Sequence, residues 1–401
     1  MSRVCVVGGG PAGIMVGALL ARAGIDTVVL EKHADFLRDF RGDTVHPSTL
    51  EVLEELGWLD DFLKMPHQEV SRLRVHMQGT ELALADFDQV RTSKKFVVFM
   101  PQWDFLDFVA ERARAYPHFD LRMRTAVVGL VEERGMVRGV RVVGPEGESE
   151  IGADLVIAAD GRNSLVRDHA GLLVEDIGAP IDVLWFRLPR RESDPRQALG
   201  WLANGKFLAL LDRGDYWQIA YIIAKGGMNT VQARGIETFR RDLAETVPFL
   251  SDRVEELRSF DDVKLLIVRV DRLKRWFKPG LLCIGDAAHA MSPVGGVGIN
   301  LAIQDAVATA NLLAESLRSG AVTTAQLEAV QRRRMLPTRV TQALQVFVQK
   351  RVIERALDGR APLRVGPALR FYDRTAWLHR FPAQLVGVGI RPEHVHSANA
   401  P

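Results

Sequence analysis

The chain has 401 residues, with 52 Lys plus Arg against 50 Asp plus Glu and a formal net charge of +2. A chain of this length predicts two or three domains, or one large two-domain fold. The balanced charge argues against nucleic acid or an anionic membrane as a partner.

The two cysteines, Cys5 and Cys283, lie in short apolar runs that are typical of buried parallel strands. The sequence has no CxxC, HExxH or Walker motif, so neither a metal site nor nucleotide hydrolysis is expected. His394 and His396 are predicted to belong to a solvated tail. The N-terminus lacks the features of a secretory leader, and no apolar run reaches about 18 residues. These observations predict a cytoplasmic protein without a transmembrane segment.

The first predicted elements form a βαβ unit, in which a strand at 4–7, a helix at 11–23 and a strand at 27–30 follow one another. Residues 46–64 predict two helices that are separated at Gly57. The following predictions, in chain order, are short strands over 70–100, a helix at 104–116, a meander over 119–159, a β-rich block over 181–224, a helix at 234–246 and a strand at 263–270. A strand at 281–284, a helix at 299–317 and a helical segment at 324–357 complete the pattern, and residues 358–401 are rich in Pro, Arg and His.

This order predicts an α/β fold, namely a Rossmann-like domain with an interleaved β-sheet domain and C-terminal helices. We assign residues 1–70, 101–177 and 271–320 to a discontinuous dinucleotide-binding domain. Residues 71–100 and 178–270 are assigned to a substrate domain, and residues 321–401 to a C-terminal helical segment and tail.

The segment VVGGGPAGIMVG places Gly8, Gly10 and Gly13 in GxGxxG spacing between the first strand and its helix. A pyrophosphate would lie against the amides and the positive dipole end of this helix. Glu31, at the end of the second strand, is placed to accept hydrogen bonds from ribose hydroxyls. The motif fits NAD and FAD equally. The predicted contacts are Gly8, Gly10, Pro11, Ala12, Gly13, Glu31 and Lys32.

Two further segments follow predicted strands. In AADGRNSLVR, Asp160 and Gly161 are by themselves only a favoured turn. In GDAAHAMSPVGGVGIN, a Gly-rich loop leads into a helix whose first amides could stabilise negative charge on a reduced flavin. Asp286 is placed to accept from a ribityl hydroxyl.

Together, GGGPAG, AADGRNSLVR and GDAAHAMSPVGGVGIN resemble the flavin-dependent aromatic hydroxylases of the para-hydroxybenzoate hydroxylase and phenol hydroxylase group. The resemblance extends from Val4 to about Ala314. It implies one bound FAD, reduction by NADH or NADPH at a shared site, and addition of O2 at flavin C4a. The C4a-hydroperoxyflavin would then hydroxylate an aromatic or polyketide-like apolar substrate. The expected enzyme is a single-component FAD-dependent monooxygenase that acts as a monomer or homodimer.

The resemblance also implies roles for individual residues. Glu31 would bind the FAD ribose, Asp160 would lie near the pyrophosphate and NAD(P)H, and Asp286 would contact the ribityl chain. Arg41 and Pro293 would border the flavin and the substrate, and both are candidate catalytic residues. The remaining implied FAD contacts are Gln102, Gly285, Gly296, Gly298, Ile299 and Asn300.

Substrate recognition does not carry over, because residues 181–224 lack the Ser, Arg and Tyr set that holds para-hydroxybenzoate. As substrate contacts we consider the large side chains of these strands: Trp185, Arg187, Trp201, Phe207, Trp217 and Tyr221. Such aromatic residues are more often ordinary core. His289 is expected to make structural hydrogen bonds rather than act as a base, and residues 332–334 are expected to form a solvated helix face.

Three alternatives remain beside the hydroxylase. A flavin halogenase is disfavoured, because its WxWxIP signature is absent. A flavin-dependent oxidase or reductase of an isoprenoid or polycyclic substrate stays open, and so does a non-catalytic flavin-binding module.

Overall fold

A computed structural model describes residues 3–37, 44–77, 79–195, 199–203, 205–320, 322–353 and 366–399. The strands in these ranges are β1 Arg3–Val7, β2 Asp26–Leu30, β3 Thr44–Val45, β4 Gln68–Val70, β5 Arg72–Met77, β6 Thr80–Asp86, β7 Val97–Phe99, β8 Phe119–Arg122, β9 Ala126–Glu133, β10 Met136–Gly144, β11 Gly147–Gly152, β12 Leu155–Ala158, β13 Val174–Asp176, β14 Ile181–Pro189, β15 Leu199–Ala203, β16 Lys206–Asp212, β17 Tyr216–Ala224, β18 Lys264–Leu266, β19 Asp271–Leu273, β20 Phe277–Lys278 and β21 Leu281–Cys283.

The helices in the same ranges are α1 Pro11–Arg22, α2 Pro47–Glu55, α3 Leu59–Phe62, α4 Gln102–Ala113, α5 Leu165–His169, α6 Met228–Ala233, α7 Ile236–Thr246, α8 Gly298–Ser319, α9 Thr324–Val348, α10 Pro367–Arg374 and α11 Arg380–Gly387. A π-helical turn, Gln349–Ile353, continues α9.

The central sheet confirms the predicted Rossmann-like α/β class. Its order is β20–β21–β12–β1–β2–β8, and every pair is parallel except β20–β21. β1, β2 and β12 are apolar runs that are buried on both faces, as parallel strands covered by helices must be. α1 packs against this sheet and against α8.

A second, seven-stranded sheet has the order β18–β14–β17–β16–β15–β5–β6. It joins strands from residues 72–86 to strands from residues 181–224, and β15 runs parallel to β5. One face of this sheet packs under α7 around Phe239 and Leu243. Two distant stretches of sequence thus share one sheet, while the exact domain boundaries stay a prediction.

The described part of the C-terminal region packs against the rest of the fold. α11 buries Ala383 beside Phe87, in the short 3₁₀ helix after β6. The tail is also docked rather than solvated, which corrects the expectation for His394. Its Nδ1 lies 2.6 Å from Glu55 Oε1, and Val395 N donates to Glu55 Oε2 at 2.7 Å.

One stretch, Val294–Ser319, is long and apolar enough to cross a membrane by length and composition alone. Its most apolar window is 83 % buried inside the protein. Because most of it is α8, which packs against α1 and α9, its apolar composition is explained by its place in the core.

Candidate active site

The three sequence motifs meet in one cavity of about 730 Å³. It lies where the C-terminal ends of β1, β2 and β12 face the inner side of the seven-stranded sheet. Ligands of open parallel α/β sheets bind at such strand ends. The cavity is lined by these predicted residues: Gly8, Gly10, Pro11, Ala12, Glu31, Lys32, Gln102, Asp160, Trp185, Phe207, Asp286, Pro293, Gly296, Gly298 and Ile299.

The glycines of the first motif have separate tasks. A Cβ on Gly13 would lie 1.9 Å from the carbonyl oxygen of Gly8, so this glycine is required for the turn itself. A Cβ on Gly10 would meet nothing within 4 Å, and Gly10 lines the cavity at the N-cap of α1. The space beside Gly10 therefore suits a diphosphate that approaches the backbone and the helix N-terminus.

Glu31 is held at the end of β2 by two backbone amides. Its Oε2 accepts from Gly9 N at 3.0 Å, and its Oε1 accepts from His33 N at 3.0 Å. These two bonds fix the orientation of the Glu31 carboxylate, which lines the cavity. This geometry fits the role that the sequence predicts for it.

Buried polar atoms without a partner mark the other side of the cavity. Arg162 donates from Nη2 to Asp286 Oδ2 at 3.2 Å, but its Nε and Nη1 have no hydrogen-bond partner among the described residues. The same holds for Asp160 Oδ1, and burial raises the pKa of Asp160. Buried polar atoms are rarely left unpaired, so a polar ligand with phosphate and hydroxyl groups, as FAD has, fits this region.

Sequence reasoning missed Arg162, although it stands directly after the Asp160-Gly161 pair. Its neighbour Arg167 is also buried and bonds to the carbonyl oxygens of Arg162 and Ala287. The signal was present in the motif AADGRNSLVR, where two arginines flank a turn at the edge of the predicted site.

The loop between β21 and α8, which we call the Pro293 loop, lines one side of the cavity. A Cβ on Gly296 would lie 2.3 Å from Thr44 Oγ1, and Gly296 has a φ of +64°, so a side chain is excluded here. Pro293 lines the cavity, and its carbonyl oxygen accepts from Gly296 N at 3.0 Å. Arg41 lies outside the described residues, so its predicted role stays a prediction.

Some predicted FAD contacts lie behind the cavity wall. Gly13, Gly285 and Asn300 do not line the cavity. Asn300 instead accepts from His46 N at 2.8 Å and from Thr49 Oγ1 at 2.7 Å. These bonds join the start of α8 to the start of α2, so Asn300 supports the lining residues.

Three glutamines on one face of α9 and the π turn hold the Pro293 loop on the side away from the cavity. We call Gln342, Gln345 and Gln349 the glutamine clamp. Gln345 Nε2 donates to the carbonyl oxygens of Ser292 and Val294, both at 2.9 Å, and Gln345 Oε1 accepts from Ser292 N at 3.2 Å. Gln342 Nε2 donates to Ala290 O at 3.1 Å, and Gln349 Nε2 donates to Ser292 Oγ.

Only two of the six side chains considered as substrate contacts line the cavity, namely Trp185 and Phe207. Trp217 and Tyr221 point to the other face of β17 and pack under α7. Successive side chains of a strand alternate between the two faces, so on β17 it is Ala220 and Ile222 that line the cavity.

Trp201 and Arg187 also lie away from the cavity lining. Trp201 stacks on His76 with ring centroids 4.1 Å apart, and the Arg187 guanidinium lies 4.8 Å from the Tyr216 ring centroid. We therefore do not propose Arg187, Trp201, Trp217 or Tyr221 as substrate contacts.

Small residues form a row across the inner face of the sheet. Trp185 pairs with Ala220, Ala220 with Ala209, and Ala209 with Gly200 across four neighbouring strands. All four line the cavity. We call Ala220, Ala209 and Gly200 the trough, because these residues are smaller than neighbours in the lining such as Phe207 and Ile222.

A buried ionic network lies behind the Pro293 loop and corrects one expectation. Arg334 is not part of a solvated helix face: its side chain is 1 % exposed and its Nη1 lies 3.2 Å from Glu393 Oε1. His289 Nε2 lies 2.6 Å from Asp305 Oδ2, so its role is structural, as the sequence predicts. Burial alone would raise the pKa of Asp305, but His289 and Arg334 together hold it below its ordinary value. In the described part of the chain, no three His, Cys, Asp or Glu side chains are grouped to hold a metal ion.

Comparison with known proteins agrees with this geometry. The model of the FAD binding domain family matches residues 1–344. The chain is 35 % identical over 367 residues to 6-methylpretetramide 4-monooxygenase of Streptomyces rimosus, covering 91 % of this chain and 87 % of the relative. It is 27 % identical to para-nitrophenol 4-monooxygenase of Pseudomonas sp. strain WBC-3, covering 80 % of each.

The fold is similarly matched. The crystal structure of p-nitrophenol 4-monooxygenase from Pseudomonas putida DLL-E4 superposes with a TM-score of 0.76 at 21 % identity. The match covers 98 % of this chain and 100 % of that one.

Proposed function

The chain belongs to the FAD binding domain family and is an FAD-dependent aromatic monooxygenase, and from this premise we propose that it hydroxylates a flat, fused-ring phenol with NADH or NADPH as reductant. FAD, when bound, supplies the redox chemistry that activates O2 for transfer to an electron-rich aromatic carbon. The protein binds and orients the FAD and the aromatic substrate, and it excludes water from the cavity.

The residues that we propose for FAD follow the cavity from end to end. Gly10 and the start of α1 would face the diphosphate, with Arg162 on its other side. Glu31 would accept from the ribose, and Asp286 from the ribityl chain. The amides of residues 296–299 would face the flavin ring. The N-terminus of α8 would stabilise negative charge on that ring.

The trough is the observation that carries the proposed substrate class. Large side chains at Ala220 and Ala209 would extend into the cavity opposite the Pro293 loop, and their absence leaves room for more than one ring. The roof around the trough is apolar, with Val183, Phe207, Ile222 and Leu266 in the lining. A relative at 35 % identity is named for a pretetramide substrate, which supports a polyketide-like aromatic compound here as well.

Filling the trough tests this proposal. In the FAD-loaded enzyme, 2-naphthol should stimulate NADH or NADPH oxidation more than para-hydroxybenzoate does. Ala209→Leu should raise KM for 2-naphthol by about tenfold or more, because a bulky side chain would occupy the space of the second ring. The matched control is Ala224→Leu, at the exposed end of β17.

Two results would reject the proposed class. One is a wild-type enzyme whose NAD(P)H oxidation no fused-ring phenol stimulates. The other is an Ala209→Leu enzyme with the same KM values as the control. We also propose that the enzyme is cytoplasmic, uses NADH or NADPH, and acts as a monomer or homodimer.

A further inference from the structure

His46 is a buried histidine in the cavity that the sequence motifs did not identify. It precedes α2, its exposed fraction is 1 %, and it lines the cavity together with Val386. Its backbone N–H donates to Asn300 Oδ1 at 2.8 Å, which fixes the main chain beside the start of α8. The side chain is therefore held at the border between the FAD-binding part and the roof.

The protonation of the imidazole follows from its partner. Nδ1 lies 2.7 Å from the carbonyl oxygen of Val386. A carbonyl oxygen only accepts, so Nδ1 carries the proton and donates. Burial lowers the pKa of His46 to about 4, so the ring is neutral at neutral pH. Nε2 then has a free lone pair, and the hydrogen bond that the imidazole makes to the described residues runs through Nδ1.

The other polar side chains in this part of the cavity make hydrogen bonds within the protein or can only donate. Thr44 Oγ1 donates to Gly296 O at 2.9 Å. Ser292 Oγ accepts from Val294 N at 3.2 Å and from Gln349. Arg74 Nη1 donates to Glu81 at 2.5 Å, and a guanidinium has no acceptor. His46 Nε2 is thus a side-chain acceptor of this set that makes no hydrogen bond to the described residues.

We propose that His46 Nε2 accepts a hydrogen bond from the hydroxyl group of the substrate and thereby selects free phenols over their alkyl ethers. This inference rests on the proposed function and specifies its substrate group. A substrate hydroxyl donates to His46 Nε2. A methyl ether has no such donor and places an acceptor oxygen and a methyl group against Nε2. Val386, on α11, acts as a positioning residue, because its carbonyl sets the tautomer that leaves Nε2 unprotonated.

The test is a binding experiment on the FAD-loaded protein without reductant. Titration calorimetry compares 2-naphthol with 2-methoxynaphthalene, which lacks the donor. Wild type should bind 2-naphthol about tenfold more tightly. His46→Phe should lose this preference and bind the ether within about twofold of wild type, since a ring of similar size is kept. His46→Gln should regain part of the preference, because its amide oxygen accepts.

The matched control is His379→Gln. His379 is also a buried histidine, and its Nε2 lies 3.0 Å from the Tyr372 carbonyl, but it does not line the cavity. This variant should keep the wild-type preference. The inference is overturned if His46→Phe retains the preference, or if wild type shows none or binds neither compound. Because no turnover is needed, an enzyme that prefers 2-naphthol but forms no oxygenated product would reject only the proposed function.

Discussion

The Nε atom of Arg334 lies 2.9 Å from Oδ1 of Asp305, and the two side chains are 1 % and 0 % exposed. Asp305 also accepts from Gly285 N at 3.1 Å and contacts His289. One carboxylate on α8 therefore ties α9 to the start of the loop that carries Asp286 and Pro293. The ion pair supports the floor of the cavity without lining it.

Removing the arginine from this pair should destabilise the whole fold. We expect Arg334→Met to lower the free energy of unfolding by about 3–5 kcal/mol, because Asp305 would remain buried without its cation. Urea denaturation measures this change. Arg332→Met is the control, since Arg332 is exposed on the same helix and its loss should cost less than about 0.5 kcal/mol. Equal stability of the two variants would show that the pair contributes nothing.

The glutamine clamp should affect catalysis more than stability. Gln345→Leu removes the bonds to Ser292 and Val294, so the Pro293 loop loses its fixed position. We expect kcat/KM to fall about ten- to a hundredfold, with less product formed per NAD(P)H oxidised. Gln331→Leu is the control, because Gln331 bonds the backbone of Trp276 and Lys274 from the same helix, away from the cavity.

Gln331→Leu breaks one partly buried and one exposed bond to backbone groups, so it should lose less stability than Gln345→Leu. The ratio of product to NAD(P)H separates them. If Gln345→Leu and Gln331→Leu had the same ratio as wild type, the clamp would have no positioning role.

The sequence predicted the α/β class, the GxGxxG turn and the meeting of three motifs, because each depends on local patterns of glycine and apolar residues. The candidate site was less predictable where it depends on strand faces and long-range contacts. Trp217 and Tyr221 were considered for their size, but strand alternation turns them away from the cavity. His46 meets Val386 across 340 residues, a contact that no local pattern indicates.

Substitutions at two glycines of the GxGxxG motif should affect FAD binding and stability separately. Gly10→Ala should leave stability unchanged, because its Cβ meets nothing within 4 Å, yet weaken FAD binding by at least about tenfold by occupying space beside the diphosphate. Gly13→Ala should cost about 3 kcal/mol of stability, because its Cβ would lie 1.9 Å from Gly8 O. FAD titration and urea denaturation measure the two effects. Wild-type FAD affinity in Gly10→Ala would place the diphosphate elsewhere.

His46 should make the fold sensitive to mild acid. Burial lowers its pKa from 6.5 to about 4, so the unfolded chain binds a proton between these values while the folded protein does not. Stability should therefore fall as the pH drops from 6.5 towards 4, by roughly 3 kcal/mol for this residue. His46→Gln should show a correspondingly weaker pH dependence in urea denaturation at pH 4.5 and pH 7. Parallel curves for wild type and variant would contradict this assignment.

The fate of molecular oxygen tests the central claim most directly. The FAD-loaded enzyme is supplied with NADH or NADPH and with the fused-ring phenol that best stimulates its oxidation, under ¹⁸O₂, and the product is analysed by mass spectrometry. The cavity, with its fixed Pro293 loop and apolar roof, predicts a hydroxylated product that carries one ¹⁸O atom. A dehydrogenated or reduced product without ¹⁸O, formed during active turnover, would contradict the account and favour an oxidase or reductase.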